Sequence, residues 1–579
     1  MKDEKIVIVK LKNKMVKKNI TGVQADISAG VLYLTGETDL LEKRVRAGYL
    51  AAKFVKNNKL AGLVVDIAVT GMKEPTMWQP TIHDDLLGSR EFDVVIIGGG
   101  IIGVTAAREL SRYNLSIALL EKEEDLGLHA SGRNDGMIHP GMAATPGSQK
   151  ARFNARGNEL YNRAAEELDF SLKRPGSLLL FSSIWMTLLI PVLKQRCRKN
   201  GVPGARWMSR GKVRAVEPHL TNRQRGAFYM PSAGIVAPRE VVLAYAENGT
   251  LNGVDFFFHT AVQGMKSEED RVVEIHTNRG KIYPRVVINA AGVWADKVAE
   301  LADDRYFSIH PRKGVDAILD KRSGCWVSHI AGMPSLLGAG SSHSKGGGIV
   351  PCVEGNVLLG PTAEEILDRE DFSTSSKEME DLKKHLYLNG KLRMKDIITY
   401  YAGVRAALWR EDFIVERSGR VTNLIHAAGI QSPGFASAPA IAVELSKLTR
   451  EAAADRGLSV VEKNNFNPIR KSSPRPAEME PREREALIAR DPAYGRIVCR
   501  CEEISEGEIR DALNSPLPAE TVDGVKRRSR AGAGRCHGGF CQARVMEIIA
   551  REKGIPLNAV EKGHEGSWIV TGREESHEA

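Results

Sequence analysis

The run FDVVIIGGGIIGVTAARELSRYNLSIALLEKEEDLG, beginning at Phe92, constrains the fold of this chain more than any other feature. Asp93 and the apolar residues Val94 to Ile97 read as a buried parallel strand, and a helical pattern follows through Val104, Ala107 and Leu110. SIALLE then forms a second strand ending in Glu121. Between first strand and helix, Gly98, Gly100 and Gly103 stand in G-x-G-x-x-G spacing. Gly98 permits the tight turn, Gly100 lets the backbone approach a pyrophosphate, and Gly103 lets helix pack closely on strand. The helix N-terminus faces the phosphate charge, and Glu121 is placed to accept hydrogen bonds from a ribose 2′-OH. A glycine triplet alone is weak, but with strand, helix, second strand and terminal acid in order it specifies a dinucleotide-binding unit. FAD and NAD share this fingerprint, so it does not choose between them.

With 579 residues the chain has room for about three or four domains. The net charge of +10 is a mild excess that suits acidic substrates. No concentrated basic stripe accompanies it, so nucleic acid is not an expected partner. The basic start, with seven lysines in the first eighteen residues, reads as a solvated strand edge. MKDEKIVIVKLKNK lacks the apolar core and cleavage site of a signal peptide. SLLLFSSIWMTLLIPVL (177–193) is the best membrane candidate, but it has only 17 residues and is interrupted by Ser182, Ser183, Thr187 and Pro191. A span needs about 20 apolar residues, so a buried strand and helix is the expectation, in a cytoplasmic protein.

The overall expectation is an α/β chain of several units. Residues 1–75 form a small module: GVLYLTGETD is a strand and turn, LLEKRVRAGYLAAKFVKN an amphipathic helix and LAGLVVDIAVTG a closing strand. This pattern resembles a BON module, a small α/β domain that serves membrane or partner attachment. Residues 76–91 are a polar linker and 92–455 the large middle unit. Residues 456–492 form an exposed linker rich in Pro, Ser and charge, 493–572 a cysteine-bearing unit, and 573–579 a tail expected to be disordered. Alternating segments such as KSEEDRVVEIHTNRGKIYPRVVINAA read as antiparallel strands of a second, substrate-facing domain.

Three further stretches carry a family likeness: HASGRNDGMIHPGM (129–142), RVVINAAGVWADKVAE (285–300) and NLIHAAGIQSPGFASAPAIAVELSKL, which pairs a strand with a glycine turn and helix. With them the middle unit resembles the D-amino-acid-oxidase-like flavoproteins, in particular the glycerol-3-phosphate and L-2-hydroxyglutarate dehydrogenase branch. PGSQKARFNARGNELYNRAAEELDFSLKRPGSLLL, GNVLLGPTAEE and YYAGVRA extend it over most of residues 92–450. The resemblance implies FAD as the cofactor in a Rossmann-like domain, with an antiparallel-sheet substrate domain beside it. It implies that Gly429, Ser432 and Gly434 cover the flavin and that the Ala290-Ala291-Gly292 turn makes a second contact. It places Ser131, Arg133, Asn134 and Gly136 at the isoalloxazine edge. His139 matches the family's base or substrate polariser, the competing reading being a histidine merely packed near the flavin. Arg405 matches the arginine that clamps the substrate anion, the alternative being an ion pair at a domain interface. His329 and Lys345 are weaker candidates, and they border PSLLGAGSSHSKGGG, which is longer and richer in glycine than the family pattern. Asp135 stands where relatives carry a small polar residue; a carboxylate there would disfavour a reduced anionic flavin unless turned to solvent.

Four of the seven cysteines, Cys499, Cys501, Cys536 and Cys541, form C-x-C, 34 residues, then C-x4-C. Zinc sites usually pair ligands as C-x-x-C or C-x-x-H with shorter gaps, and four thiolates suit an iron–sulfur cluster. GRIVCRCEEISEGEIRDAL and KRRSRAGAGRCHGGFCQARVMEIIARE resemble the helical bacterioferritin-associated-ferredoxin-like [2Fe-2S] domain. Lys526, Arg527, Arg528 and Arg530 are expected to offset the cluster's negative charge. A flavin takes two electrons and such a cluster passes one at a time, which favours a dehydrogenase over an oxidase. The arrangement resembles the catalytic subunits of anaerobic glycerol-3-phosphate dehydrogenases, which work beside a second flavoprotein and sometimes a membrane-anchored subunit. The expected substrate is therefore a small anionic alcohol, foremost glycerol 3-phosphate. The alternatives are L-2-hydroxyglutarate, an amine or amino acid, or an electron-transfer subunit with no substrate.

Overall fold

The structure, a computed structural model, describes residues 4–221, 223–333 and 347–570. The N-terminal module opens with α1 (Glu4–Val16), which buries Val7, Leu11 and Met15 and leaves its lysines exposed. The basic start is thus a helix and not a strand edge: apolar residues four apart share one helical face. β1 (Val23–Ser28) pairs antiparallel with β2 (Val31–Thr38), and α2 (Leu41–Asn58) crosses to β3 (Gly62–Val69), parallel to β2. The module is docked on the body. Leu63 N–H donates to the Tyr306 carbonyl (2.9 Å) and Val65 N–H to Ser308 Oγ (3.0 Å). α2 meets the indole of Trp409 at Gly48, where any Cβ would lie 2.4 Å from the ring.

The middle unit is built on two sheets. In the first, β4 (Arg90–Ile97) lies between β5 (Ile117–Leu120) and the strand Gly280–Asn289, all parallel; Val254–Phe257 flanks β5, and Leu424–Ala428 flanks Gly280–Asn289. Helices cover it: α3 (Ile101–Leu110) packs against Pro238–Leu251 and α4 (Gly434–Ala454). A parallel sheet covered in this way needs continuous apolar strands, and β5 is buried along its whole length.

The second sheet is mainly antiparallel, and its key pair is β6 (Ile309–Leu319) against β7 (Ile397–Leu408). Arg312 lies opposite Arg405, Gly314 opposite Gly403 and Asp316 opposite Tyr401. Period-two alternation puts all six on one face.

Two expectations need correction. In 177–193 only Ser177–Phe181 is a buried strand; the 3₁₀ turn Ile184–Leu189 and helix Ile190–Lys199 lie on the surface, with Trp185 and Leu188 exposed. They rest on the sheet through Met186 and Cys197, packed with Phe181 and Phe228, while their outer face has no cover among the described residues. The stretch 456–492 is largely exposed yet is a pinned strap, because Arg470 reaches buried Glu247 (Nε to Oε2, 2.5 Å) and the Leu168 carbonyl (2.9 Å). It also contains the helix Pro481–Arg490. Beyond it, a short strand pair and the helices Glu506–Leu513, Val522–Ser529 and α5 (Gln542–Lys553) close around a small apolar core. The last tail residues, 571–579, lie outside the described ones.

Candidate active site and cluster site

The turn after β4 is shaped by backbone contact. Gly98 has φ +108°, and a Cβ there would meet the Ala290 carbonyl oxygen at 2.6 Å. At Gly103 a Cβ would sit 1.9 Å from the Gly98 carbonyl oxygen, so only glycine lets α3 lie this close to the strand. Ser131 reaches over from its loop, its Oγ accepting from Ile101 N–H (2.8 Å) at the start of α3. Glu121 accepts from Gly99 N–H (2.7 Å) and Glu123 N–H (3.0 Å). Burial, with the nearby Glu123, pushes its carboxyl pKa up.

A long cavity runs from this turn to the β6–β7 face. Gly98, Gly100, Glu121, Ser131, Arg133 and Asn134 line its wall, as do Ala291, Gly292, Ser432 and Gly434. Gly103, Gly136 and Gly429 do not; they serve close approaches behind it, Gly429 against Leu408 and Gly136 against the Val236 carbonyl. Arg133 donates to the Leu128 carbonyl (2.6 Å) and lies over the Phe372 ring. Asn134 staples its own loop through the Ala130 and Ser131 carbonyls and Gly136 N–H. α4 begins at Gly434, so its N-terminal end faces the same space.

A second cavity shares Asp135, Met137, His139, Arg405, Gln431 and Ser432 with the first. His139 and Arg405 therefore stand at the junction. His139 Nε2 is 3.4 Å from Ser432 Oγ, and its carbonyl accepts from Asn154 and Asn158. Arg405 folds over Gly314, where a Cβ would come within 2.3 Å of its guanidinium. Both Nη atoms reach only the Thr362 carbonyl, at 3.3 Å, and no carboxylate among the described residues forms an ion pair with Arg405. Burial draws its pKa down against the opposing pull of Asp316. Asp135 faces inward, lining both cavities, with Oδ1 accepting from Met137 N–H (3.1 Å). His329 lines neither; it pairs with Glu217 and edges the Tyr229 ring. Lys345 lies outside the described residues.

Sequence reasoning missed the residues around Arg405. Arg312 donates to Glu365 (2.8 Å), Glu411 (2.6 Å), Gln431 (3.1 Å) and the hydroxyl of Tyr49 (2.5 Å), which comes from α2 of the N-terminal module and donates onward to Glu411 (2.8 Å). Arg312 and Gln431 line the second cavity. Asp316 is buried in the first cavity wall, and its Oδ1 has no hydrogen-bond partner among the described residues. Burial and Asp135 push its pKa far up, against the opposing pull of Arg405. The signal was available as mirrored period-two patterns, RKGVD at 312–316 and YAGVR at 401–405, with glycine at the centre of each.

At the far end the four thiols draw together. Cys501 Sγ lies 3.9 Å from both Cys499 Sγ and Cys536 Sγ, and Cys541 caps α5. Gly532 N–H points at Cys499 Sγ (3.4 Å), and backbone N–H groups of Phe540 and Gly538 lower the Cys536 pKa. At Gly534 a Cβ would sit 2.5 Å from Cys501 Sγ. Thiols ringed by N–H donors and a cleared backbone fit a thiolate-bound cluster. Three of the four basic residues nearby are bound to carboxylates. Arg527 (2.9 Å) and Arg528 (2.8 Å) donate to buried Asp125 in the loop after β5, and Arg530 binds Glu502 and Glu354. They dock this unit on the body because its facing carboxylates are there. His537, beside Cys536, contacts the Ile398 carbonyl of β7 through Nε2.

Fold and site together define a flavin-dependent oxidoreductase with an appended iron–sulfur unit. Residues 93–448 match the family described as FAD dependent oxidoreductase, and residues 497–551 match the BFD-like [2Fe-2S] binding domain; the chain belongs to that oxidoreductase family and its cofactors are FAD and a [2Fe-2S] cluster. It is 40% identical over 484 residues to a glycerol 3-phosphate dehydrogenase from Caloramator mitchellensis, covering 83% of this chain and 98% of the relative. A mitochondrial L-2-hydroxyglutarate dehydrogenase from Nematostella vectensis is 31% identical over 53% of this chain and 70% of its own. The reduced, FAD-bound L-alpha-glycerophosphate oxidase from Mycoplasma pneumoniae superposes with a TM-score of 0.61 at 25% identity, over 67% of this chain and all of that one. Neither matched family reaches the N-terminal module. No helix among the described residues is long and apolar enough to cross a membrane.

Proposed function

We propose that this enzyme oxidises glycerol 3-phosphate at its secondary alcohol and sends the electrons out through the C-terminal cluster. The observation that carries the reading is the state of Arg405: a guanidinium deep in the protein, unpaired with any described carboxylate, at the junction of two cavities. A cation so placed calls for an anion from outside, and a guanidinium fork suits a phosphate. His139 and Ser432 sit at the same junction, where His139 takes the hydroxyl proton as the carbon gives up its hydride. Bound FAD supplies the acceptor for that hydride. The predicted flavin residues that line the first cavity hold it there, with Ser131 and the α3 N-terminus at its phosphates.

One anionic group is favoured over two, because the Arg312 fork is already spent on Glu365 and Glu411. This sets glycerol 3-phosphate ahead of the dicarboxylate L-2-hydroxyglutarate. Cys499, Cys501, Cys536 and Cys541 hold the cluster. The route to it from the flavin follows β7, since Gly403 lines the flavin cavity and Ile398, five residues back and about 17 Å along the strand, touches His537. The electrons then pass to a partner protein, by analogy with two-flavoprotein systems, and the N-terminal module serves as a BON-like attachment unit. Anaerobic stopped-flow mixing of cluster-loaded protein with glycerol 3-phosphate, L-2-hydroxyglutarate and amino acids tests the reading. Flavin bleaching fastest with glycerol 3-phosphate is expected; bleaching by none of them leaves only an electron carrier.

A further inference from the structure

The 3₁₀ turn Ile184–Leu189 and the helix Ile190–Lys199 leave the second sheet and stand on the surface. Ile184 is 62% exposed, Trp185 76% and Leu188 72%, with Leu189 and Val192 also in solvent. These five large apolar side chains within nine residues recur at three- and four-residue spacing along the turn and helix, and exposed apolar side chains grouped in this way mark a binding site. Among the described residues the appended units dock elsewhere, the N-terminal module at Tyr306 and Trp409 and the cluster unit at Asp125 and Glu354.

The charge around the patch says what covers it. From Phe170 to Val216 the chain carries ten lysines and arginines and no aspartate or glutamate. None of these ten forms an ion pair with a carboxylate among the described residues, although basic side chains elsewhere commonly do. Lys194, Arg198 and Lys199 are exposed on the very helix that continues the apolar turn. Uncompensated cations beside protruding tryptophan, leucine and isoleucine suit a surface that is apolar within and anionic at its face. Tryptophan in particular settles at the boundary between headgroups and acyl chains.

We propose that Ile184–Lys199 docks this enzyme directly on an anionic lipid bilayer, the apolar side chains entering the interface and the basic ones meeting phosphate headgroups. The attachment is peripheral, and it is independent of which alcohol is oxidised. The test is flotation of the full-length, cofactor-loaded protein with vesicles of phosphatidylcholine mixed with phosphatidylglycerol, beside vesicles of phosphatidylcholine alone. The protein is expected to float with the anionic vesicles and to be released by salt. The double variant Trp185→Ser, Leu188→Ser is expected to bind about tenfold more weakly with unchanged flavin absorbance and substrate bleaching. Lys194→Glu with Arg198→Glu should abolish the preference for anionic lipid. Vesicle binding that survives both variants, or no binding to either vesicle, overturns the proposal. So does a concentration-dependent dimer, seen by sedimentation, that only the double apolar variant dissolves; the patch then belongs to a second copy of the chain.

Discussion

Arg405 and Arg312 face one another across two neighbouring strands, yet their surroundings give them different work. Arg312 is saturated by Glu365, Glu411, Gln431 and Tyr49, whereas Arg405 has a single backbone carbonyl. Arg405→Ala should weaken substrate binding by about 2 to 4 kcal/mol, read from the substrate dependence of flavin bleaching, and Arg405→Lys should recover only part of it because the fork is lost. An unchanged dependence removes Arg405 from substrate binding. Glu411 gives a pH prediction. Burial pushes its carboxyl up, but Arg312 outweighs that and holds its pKa down at about 2. A depressed carboxylate stabilises the fold above its unfolded pKa of about 4.3, and that stability drains away as pH falls through about 2. Glu411→Gln should therefore cost up to about 3 kcal/mol at neutral pH, and the gap to the unaltered protein should close in melts taken at progressively lower pH. A constant gap would show that the carboxylate's charge is not what matters. Gly98, Gly100 and Glu121 could be read in the sequence because their spacing is set within one βαβ unit. Arg312 could not, since it is defined by residues from Tyr49 to Gln431.

At the scale of elements, α2 is the least expected contributor. Its Gly48 rests on Trp409, and Trp409 stacks on His310 (3.9 Å), which binds Glu365 (2.7 Å). Tyr49, one residue on, completes the cluster behind the second cavity. Tyr49→Phe should lower stability by about 1 to 2 kcal/mol and raise the KM for substrate with little change in kcat, since Arg312 keeps its carboxylates but loses one fixed direction. If thermal stability falls with KM unmoved, the helix is only a brace. The strand pair β6–β7 makes a sharper demand. A Cβ at position 403 would lie 2.3 Å from the Arg133 carbonyl oxygen, so Gly403→Ala should yield protein that retains its cluster but little flavin, measured by the ratio of bound FAD to iron. Helix α1 is hard to read because four lysines are interleaved with seven apolar residues, of which only Val7, Leu11 and Met15 are buried. The C-terminal unit was easier, because ligand spacing is local to the turns that carry it.

Across the whole molecule, the cluster unit is fastened to the body by arginines on carboxylates, with buried Asp125 holding both Arg527 and Arg528. Asp125→Ala strips Arg528 of its carboxylate and leaves Arg527 only Glu124, 3.6 Å away, so the docking should loosen by about 3 kcal/mol. Substrate should then bleach the flavin at the usual rate, while reduction of the iron–sulfur cluster, followed by its own absorbance or electron paramagnetic resonance, lags behind. Simultaneous reduction would mean the contact does not govern the transfer. The sequence announced both cofactor units but not their seating, because a docking surface has no periodicity and no motif. The order in which the parallel sheet is assembled has a separate bearing on how the enzyme is made. β4 and β5 emerge from the ribosome early, but the strand that flanks Gly280–Asn289 is not synthesised until Leu424, and the helix that closes the flavin cavity begins at Gly434. Until then the outer edge of Gly280–Asn289 lacks its parallel neighbour and the cavity lacks its closing helix, so newly made enzyme can accept its nucleotide only late, and premature termination before that last strand leaves polypeptide fit for degradation rather than a shorter flavoprotein.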